Sequence, residues 1–483
     1  ILHTFDSSPT LFPDGSVAGM DPELIVQLQE EGPEEEASKV EGDDQATAAF
    51  TGESYAARLE GHLVNQQKFV ADGHRIATRS TKIWLADRLF VHDALAAGAV
   101  PESVQAIVQA GDLERTGQMG MSFGGSTTGA ICMIDARCAA GINLDGSDFH
   151  LQPWMANMPV PFLMFYSDYA QMYELVSGEP VDEAHGFNDF SYERPELAGL
   201  RDDVVRLTVL DIAHLGVSDF NLFMRNPIRA PMLGRMDGEL IVQIQNDFVR
   251  AFFDTHLRGL DAGFPDAQFA THAESVKQDF VDGVRGWWLS EHPEDETVVV
   301  RFETSLGHLE VALYPERAPI SAANFLAYVD AGYYEGASFY RSLKPSGEYG
   351  YGVIQGGLLA EAMSGDGSEY AEPERPLPPI AHETTDQTGI LNERGTLAYA
   401  RLAPGSAGSE IFFNITDNAV LDTGAEVPGR DGQGYATFGR VLKGMRVLEA
   451  IQTLPVDGPT DMVSLQGQIL REPVRIHRIV QLD

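Results

Sequence analysis

The chain has 483 residues, 43% of them apolar and 9% aromatic, more than one ordinary core uses and enough for two. Its 72 acidic residues against 33 basic give a net charge of −39, a surface that repels nucleic-acid phosphates and anionic lipid and argues against a nucleic-acid partner. No apolar run approaches the ~20 residues of a membrane-spanning helix.

Residues 1–50 are acid-rich and lack periodic pattern. Glu30-Glu31-Gly32-Pro33-Glu34-Glu35-Glu36 and Gly42-Asp43-Asp44 read as solvated loop. Between 82 and 97 the apolar positions Ile83, Ala86, Phe90, Ala94 and Ala97 recur at helical spacing. Short apolar strands follow at 116–120, 139–144, 160–166 and 205–210, alternating with helical stretches, the mark of a mostly parallel sheet wrapped by helices. Cys132 and Cys138 lack the C-x-x-C spacing of redox or metal sites and read as buried structural thiols. A helix at 240–257 closes this half.

A charged, proline-broken stretch, Ser290-Glu291-His292-Pro293-Glu294-Asp295-Glu296, divides the chain into an α/β domain at 1–288, a linker at 289–297 and a second domain at 298–483. Beyond it come short strands, beginning at 298–302 and 309–313, with glycine-rich turns. An all-β barrel with helices near 322–330 and 444–451 fits that texture. No metal cluster, phosphate-binding glycine loop or basic stripe appears, so no cofactor is expected.

In the first half, Gly120-Met121-Ser122-Phe123-Gly124-Gly125 lies where a strand runs into a helix, the setting of a nucleophile elbow. Gly120 and Gly124 are expected to remove side chains that would clash in so tight a turn. An activated serine needs a base and an acid to orient it. His214 follows the 205–210 strand. Asp145 and Asp168 both follow strands, at the edge where open α/β sheets build their sites. These residues, with Asp135-Ala136-Arg137, Gly141-Ile142-Asn143-Leu144-Asp145-Gly146 and Ser218-Asp219-Phe220, resemble the platelet-activating-factor acetylhydrolase family of α/β-hydrolases over most of residues 1–260. The resemblance implies a metal-free esterase for small acyl esters or phospholipids. In it His214 deprotonates Ser122, Asp145 rather than Asp168 holds the imidazole, and the Phe123 N–H is one oxyanion donor. Met121 stands where the family often has histidine. The family's early strands and its His-Gly oxyanion loop belong before His3-Thr4-Phe5-Asp6, so this half reads as amino-terminally truncated.

In the second half, Phe339-Tyr340-Arg341, Val353-Ile354-Gln355-Gly356-Gly357 and Phe412-Phe413 read as the working face of a proline isomerase. Rotation about an X–Pro bond faces a barrier of ~20 kcal/mol, because resonance makes the C–N bond partly double. A fixed guanidinium lowers it by donating to the prolyl nitrogen as that atom pyramidalises. Arg341 supplies the donor, Gln355 holds the substrate carbonyl, and Phe412, Leu421 and Tyr435 wall the ring. Residues 298–483 resemble the cyclophilin family, particularly its bacterial members. The likeness extends through Arg394-Gly395-Thr396-Leu397-Ala398-Tyr399-Ala400-Arg401, Ser409-Glu410-Ile411-Phe412-Phe413, Asp417-Asn418-Ala419-Val420-Leu421-Asp422 and Phe438-Gly439-Arg440-Val441. The departures are Gly352-Val353 for the family's Phe-Met, an insertion at 344–351, Val420 for an aromatic and Glu410 for glutamine. A shallower, less aromatic pocket is expected.

The two halves together predict a proline isomerase acting on proline-containing polypeptides, joined to a serine ester hydrolase. The alternative is a proline-peptide-binding folding helper with an inactive hydrolase scaffold. Such a pairing suits a periplasmic or secreted location.

Overall fold

The computed structural model describes residues 10–11, 17–18, 54–66, 75–147, 149–170, 188–223, 232–346, 350–364 and 375–482. The acidic stretches around 30–36 and 42–44, and the His3–Asp6 region, lie outside them, as do residues 347–349 of the insertion. The chain forms two compact units, Ile1–Arg285 and Gly286–Asp483.

The first unit opens with a small antiparallel pair, β1 (Thr10–Leu11) and β2 (Val17–Ala18). Helices α1 (Tyr55–Gln66), α2 (Arg75–Ala96) and α3 (Glu102–Ala110) precede the sheet. The sheet has five strands in sequence order: β3 (Thr116–Met121), β4 (Cys138–Leu144), β5 (Phe162–Tyr166), β6 (Val204–Val209) and β7 (Val276–Asp279). β3 to β6 are parallel and β7 is antiparallel to β6. Alternate residues of β5 face opposite layers. Phe162, Met164 and Tyr166 join Cys132, Met158 and Tyr192 in one core. Leu163 and Phe165 meet Ile241, Ile244, Phe248 and Phe252 of helix α5 (Gly238–His256) in the other. Burial on both faces explains why β5 reads as an unbroken apolar run. Helix α4 (Phe123–Ile134) follows β3 directly.

Two expectations change here. Cys132 and Cys138 form a disulfide, not two thiols: α4 ends at Ile134 and β4 starts at Cys138, and the short turn between brings their Cα atoms within 5.1 Å. Helix α2 forms where periodicity predicts one, but its apolar stripe does not drive its packing, and Phe90 is 71% exposed. The opposite face packs instead. Trp84 meets the Phe123 ring edge-on at 4.9 Å, Arg88 donates to Thr128 Oγ1 at 2.6 Å and to the Met119 carbonyl at 2.8 Å, and His92 pairs with Asp135 at 3.2 Å. The stripe is mostly alanine and offers little area, whereas Trp84 and Arg88 pack on the β3–α4 turn and His92 meets Asp135 at the far end of α4.

The stretch read as a linker begins in helix α6 (Asp282–Glu291) and continues as a 3-10 turn, Pro293–Asp295. Asp295 is buried and accepts from the Trp288 indole and from Arg317, each at 2.9 Å.

The second unit is a closed antiparallel barrel of eight strands: β8 (Val298–Thr304), β9 (Gly307–Leu313), β10 (Ser338–Leu343), β11 (Val353–Gly357), β12 (Thr396–Tyr399), β13 (Ile411–Asn414), β14 (Thr437–Lys443) and β15 (Ile469–Gln481). Around the barrel they run β10-β11-β13-β12-β14-β9-β8-β15, and β15 closes on β10. Helices α7 (Pro319–Asp330) and α8 (Met445–Thr453) bring Phe325, Leu448 and Ile451 into a core shared with Phe302, Phe339, Phe413 and Phe438.

Candidate functional site

Strand alternation builds the barrel's outer cleft. On β11, Ile354 points to the core while Val353 and Gln355 point out. On β13, Ile411 and Phe413 are core and Phe412 faces the cleft. Register then sets Arg341 opposite Gln355, Gln355 opposite Phe412 and Phe412 opposite Ala398, a row across four strands. Strict alternation on β10 would send Tyr340 and Arg341 to opposite faces. A register shift between Phe339 and Arg341, against both neighbouring strands, lets Phe339 stay in the core while Tyr340 and Arg341 both line the cleft.

All five residues predicted for this site (Arg341, Gln355, Phe412, Leu421 and Tyr435) line one cavity of about 420 Å³. Arg341 Nη1 donates to Gln355 Oε1 at 2.7 Å, and Nε and Nη2 donate to Gln468 Oε1 at 2.9 and 2.6 Å. A guanidinium has five N–H groups. Three are used, so the fork is held from behind with N–H groups to spare. Phe412 meets Tyr435 edge-on at 5.5 Å, over Leu421, Val353 and Ala398. Four aromatic side chains, Tyr340, Tyr351, Phe412 and Tyr435, line the cleft. Tyr351 supplies a ring one position before Gly352, and Arg430 stacks on it at 4.7 Å. Arg401 lies 5.1 Å from the centre of the Tyr435 ring and is gripped by Asp431 at 2.6 and 2.9 Å, a hydrogen-bonded pair that holds the Asp431 carboxyl well below the ordinary range. Sequence reasoning missed Gln468 and Tyr351. Gln468 is 127 residues from Arg341 and no local pattern signals it.

In the first unit the carboxyl ends of the parallel strands converge. Ser122 follows β3 and caps α4 at φ 54° and ψ −125°, a conformation few side chains adopt. Its hydroxyl lies 2.9 Å from His214 Nε2, and His214 Nδ1 lies 2.6 Å from Asp145 Oδ2. A carboxylate only accepts, so Nδ1 carries the proton and Nε2 of the neutral ring accepts from Ser122. The hydrogen bond to Asp145 raises the His214 pKa above the ordinary histidine value. Asp145 is buried and also accepts from Ser167 N (2.7 Å), Ser167 Oγ (2.8 Å) and Tyr169 Oη (3.1 Å), partners the sequence did not suggest. Asp168 turns elsewhere and accepts from the Asp211 N–H at 3.0 Å. His150, buried near Phe123, is lowered to about 4 by desolvation and stays neutral. Phe123 is the first residue of α4, where a backbone N–H has no intrahelical acceptor. The tight approaches fall on Gly120, where a Cβ would sit 2.1 Å from the Gly124 carbonyl oxygen, and on Gly125, 2.1 Å from Asn143 Oδ1. Gly124, expected to be required, has room for a Cβ.

The closed antiparallel barrel carries a guanidinium–amide pair beside an aromatic slot, and sequence comparison identifies the family of this half. Residues 299–480 match the profile of the family described as cyclophilin type peptidyl-prolyl cis-trans isomerase/CLD. The chain is 35% identical over 192 residues to a peptidyl-prolyl cis-trans isomerase of Acinetobacter baylyi, covering 40% of this chain and 88% of that protein. It is 36% identical over 159 residues to peptidyl-prolyl cis-trans isomerase A of Dickeya dadantii, covering 33% of this chain and 73% of that one. To peptidyl-prolyl cis-trans isomerase B of Escherichia coli it is 33% identical over 155 residues, covering 32% and 84%. Through this segment the chain belongs to the cyclophilin-type peptidyl-prolyl cis-trans isomerase family.

Proposed function

We propose that the domain at 298–483 catalyses rotation about X–Pro bonds of polypeptide clients, with Arg341 as the donor to the prolyl nitrogen. The observation that carries this is the Arg341–Gln355 pair at 2.7 Å facing a cavity walled by Phe412, Leu421 and Tyr435. The proline ring fills the apolar slot. A spare guanidinium N–H meets the nitrogen lone pair as it develops, an interaction stronger in the twisted state than in either planar ground state. Gln355 aligns the fork and the substrate carbonyl. A proline-peptide isomerisation assay on the whole chain is expected to show acceleration, reduced about 10²-fold in Arg341→Ala, the scale of removing one transition-state donor. No rate above background for the wild type would leave a proline-peptide-binding folding helper.

The second reading is that the domain at 1–288, joined by 289–297, is a serine ester hydrolase resembling platelet-activating-factor acetylhydrolase. The Ser122–His214–Asp145 distances favour it. Ser122 Oγ bonds to the acyl carbon as His214 Nε2 takes its proton. The imidazolium returns that proton to the departing alkoxide, and water then releases the acyl group by the same route. Phe123 N–H supplies one oxyanion donor. Small acyl esters or phospholipids are the substrate class. Equal rates of p-nitrophenyl acetate hydrolysis by wild type and Ser122→Ala would end this reading.

A further inference from the structure

Hydrogen-bond polarity fixes which end of Gln355 faces the guanidinium, and Tyr340 and Glu410, which line the same cavity, enforce it from the other side of the amide. A tyrosine hydroxyl has one proton. Tyr340 Oη gives it to Glu410 Oε2 at 2.5 Å, so towards Gln355 the same oxygen accepts. Gln355 therefore presents Nε2 to Tyr340 at 2.9 Å and its carbonyl Oε1 to Arg341 at 2.7 Å. Glu410 is buried. Its Oε1 accepts from the N–H groups of Leu358 and Leu359 at 2.7 and 3.1 Å and from Ser409 Oγ at 3.1 Å. These partners are all donors, a set suited to a carboxylate. Gly357 permits the arrangement: at φ 147° it has no Cβ, which would lie 2.4 Å from Glu410 Oε1.

We propose that Glu410 is a positioning residue of the isomerase site, its carboxylate orienting Tyr340 and thereby locking the Gln355 carbonyl oxygen toward Arg341. The inference rests on the isomerase reading. An amide or a protonated carboxyl at 410 offers Tyr340 a hydrogen. The hydroxyl then turns its own proton to Gln355, the amide flips, and an NH2 group confronts the guanidinium. Burial raises the Glu410 pKa above the ordinary glutamate value. The phenols that face it (Tyr340, Tyr334 and Tyr328) are all pushed upward by burial, and Arg341 and Arg375 line the same cavity. Glu410 is the carboxyl of this group, and its protonation removes the acceptor that Tyr340 uses. The orientation is complete above its raised pKa and is lost as pH falls through it.

The test follows cis–trans exchange of a proline peptide by NMR, with the full-length protein, from mildly acidic to neutral pH. Wild type is expected to show an acid limb. Glu410→Gln should lower kcat about tenfold with KM nearly unchanged and remove that limb, the effect of losing one hydrogen bond that serves a charged group. Tyr340→Phe removes only an oxygen, should cost the same, and adds nothing in combination. If Glu410→Gln does not fold, Tyr340→Phe alone decides. The Gln355 side-chain amide resonances are expected to move with the acid limb in wild type and to be displaced at every pH in Glu410→Gln. Folded variants that keep the wild-type kcat and pH profile, or Gln355 resonances indifferent to pH and to the substitution, overturn the proposal. A wild type inactive at every pH defeats the isomerase reading instead, because the amide resonances still report the relay.

Discussion

His214 bridges a buried carboxylate and a hydroxyl, and the Asp145 contact raises its pKa. The neutral ring is the working base, so ester hydrolysis should rise with pH through a value above that of an ordinary histidine and fall away in acid. A pH–rate profile on p-nitrophenyl acetate checks this. Asp145→Asn should cost about 10⁴-fold in kcat, because the amide no longer dictates the tautomer. Ser122 and His214 were readable from sequence because each lies just after an expected strand; strand placement left Asp145 and Asp168 open, and the resemblance to the acetylhydrolase family favoured Asp145, the one bonded to His214. Ser167 and Tyr169, which hold Asp145, were not readable, since hydroxyl residues beside a strand are common and nothing local marks their partner. In the barrel the same contrast holds. Arg341 and Gln355 sit in recognisable blocks, while Gln468 reaches Arg341 only through barrel closure.

Secondary structure was the more legible level, and facing the less. Strands β3 to β6 lie within two residues of their expected ends, and β4 to β6 each carry a strong apolar run. Helix α2 shows the opposite: its period was visible, but its contact face is set by Trp84 and Arg88 meeting the β3–α4 turn and His92 meeting Asp135 at the end of α4, which periodicity does not encode. The β3–α4 turn depends on backbone proximity at Gly120. Gly120→Ala forces a Cβ to within 2.1 Å of a backbone oxygen. It should destabilise the first unit by about 1–3 kcal/mol, the usual cost of overpacking, and slow ester hydrolysis. A denaturant melt with activity measured alongside separates the two effects. Gly124→Ala, where the space is open, should leave stability within about 0.5 kcal/mol of wild type apart from propensity.

Each unit carries its own core. Phe252→Ala should cost about 3–5 kcal/mol in the sheet unit, and Phe438→Ala the same in the barrel. Calorimetry is expected to show one substitution shifting one transition and the other shifting the second; a shared shift of both would contradict it. The charge of −39 acts on the molecule as a whole. Self-repulsion among carboxylates weakens the compact state, so adding sodium chloride should raise both melting temperatures as screening grows.

The row Arg341–Gln355–Phe412–Ala398 is assembled from strands far apart along the chain, and Gln468, which steadies its arginine, precedes the last strand. The Arg341 fork is therefore fully held only once β15, which pairs with β10, is in place. During refolding, catalytic competence should return together with, never ahead of, the signal that reports β15 docking.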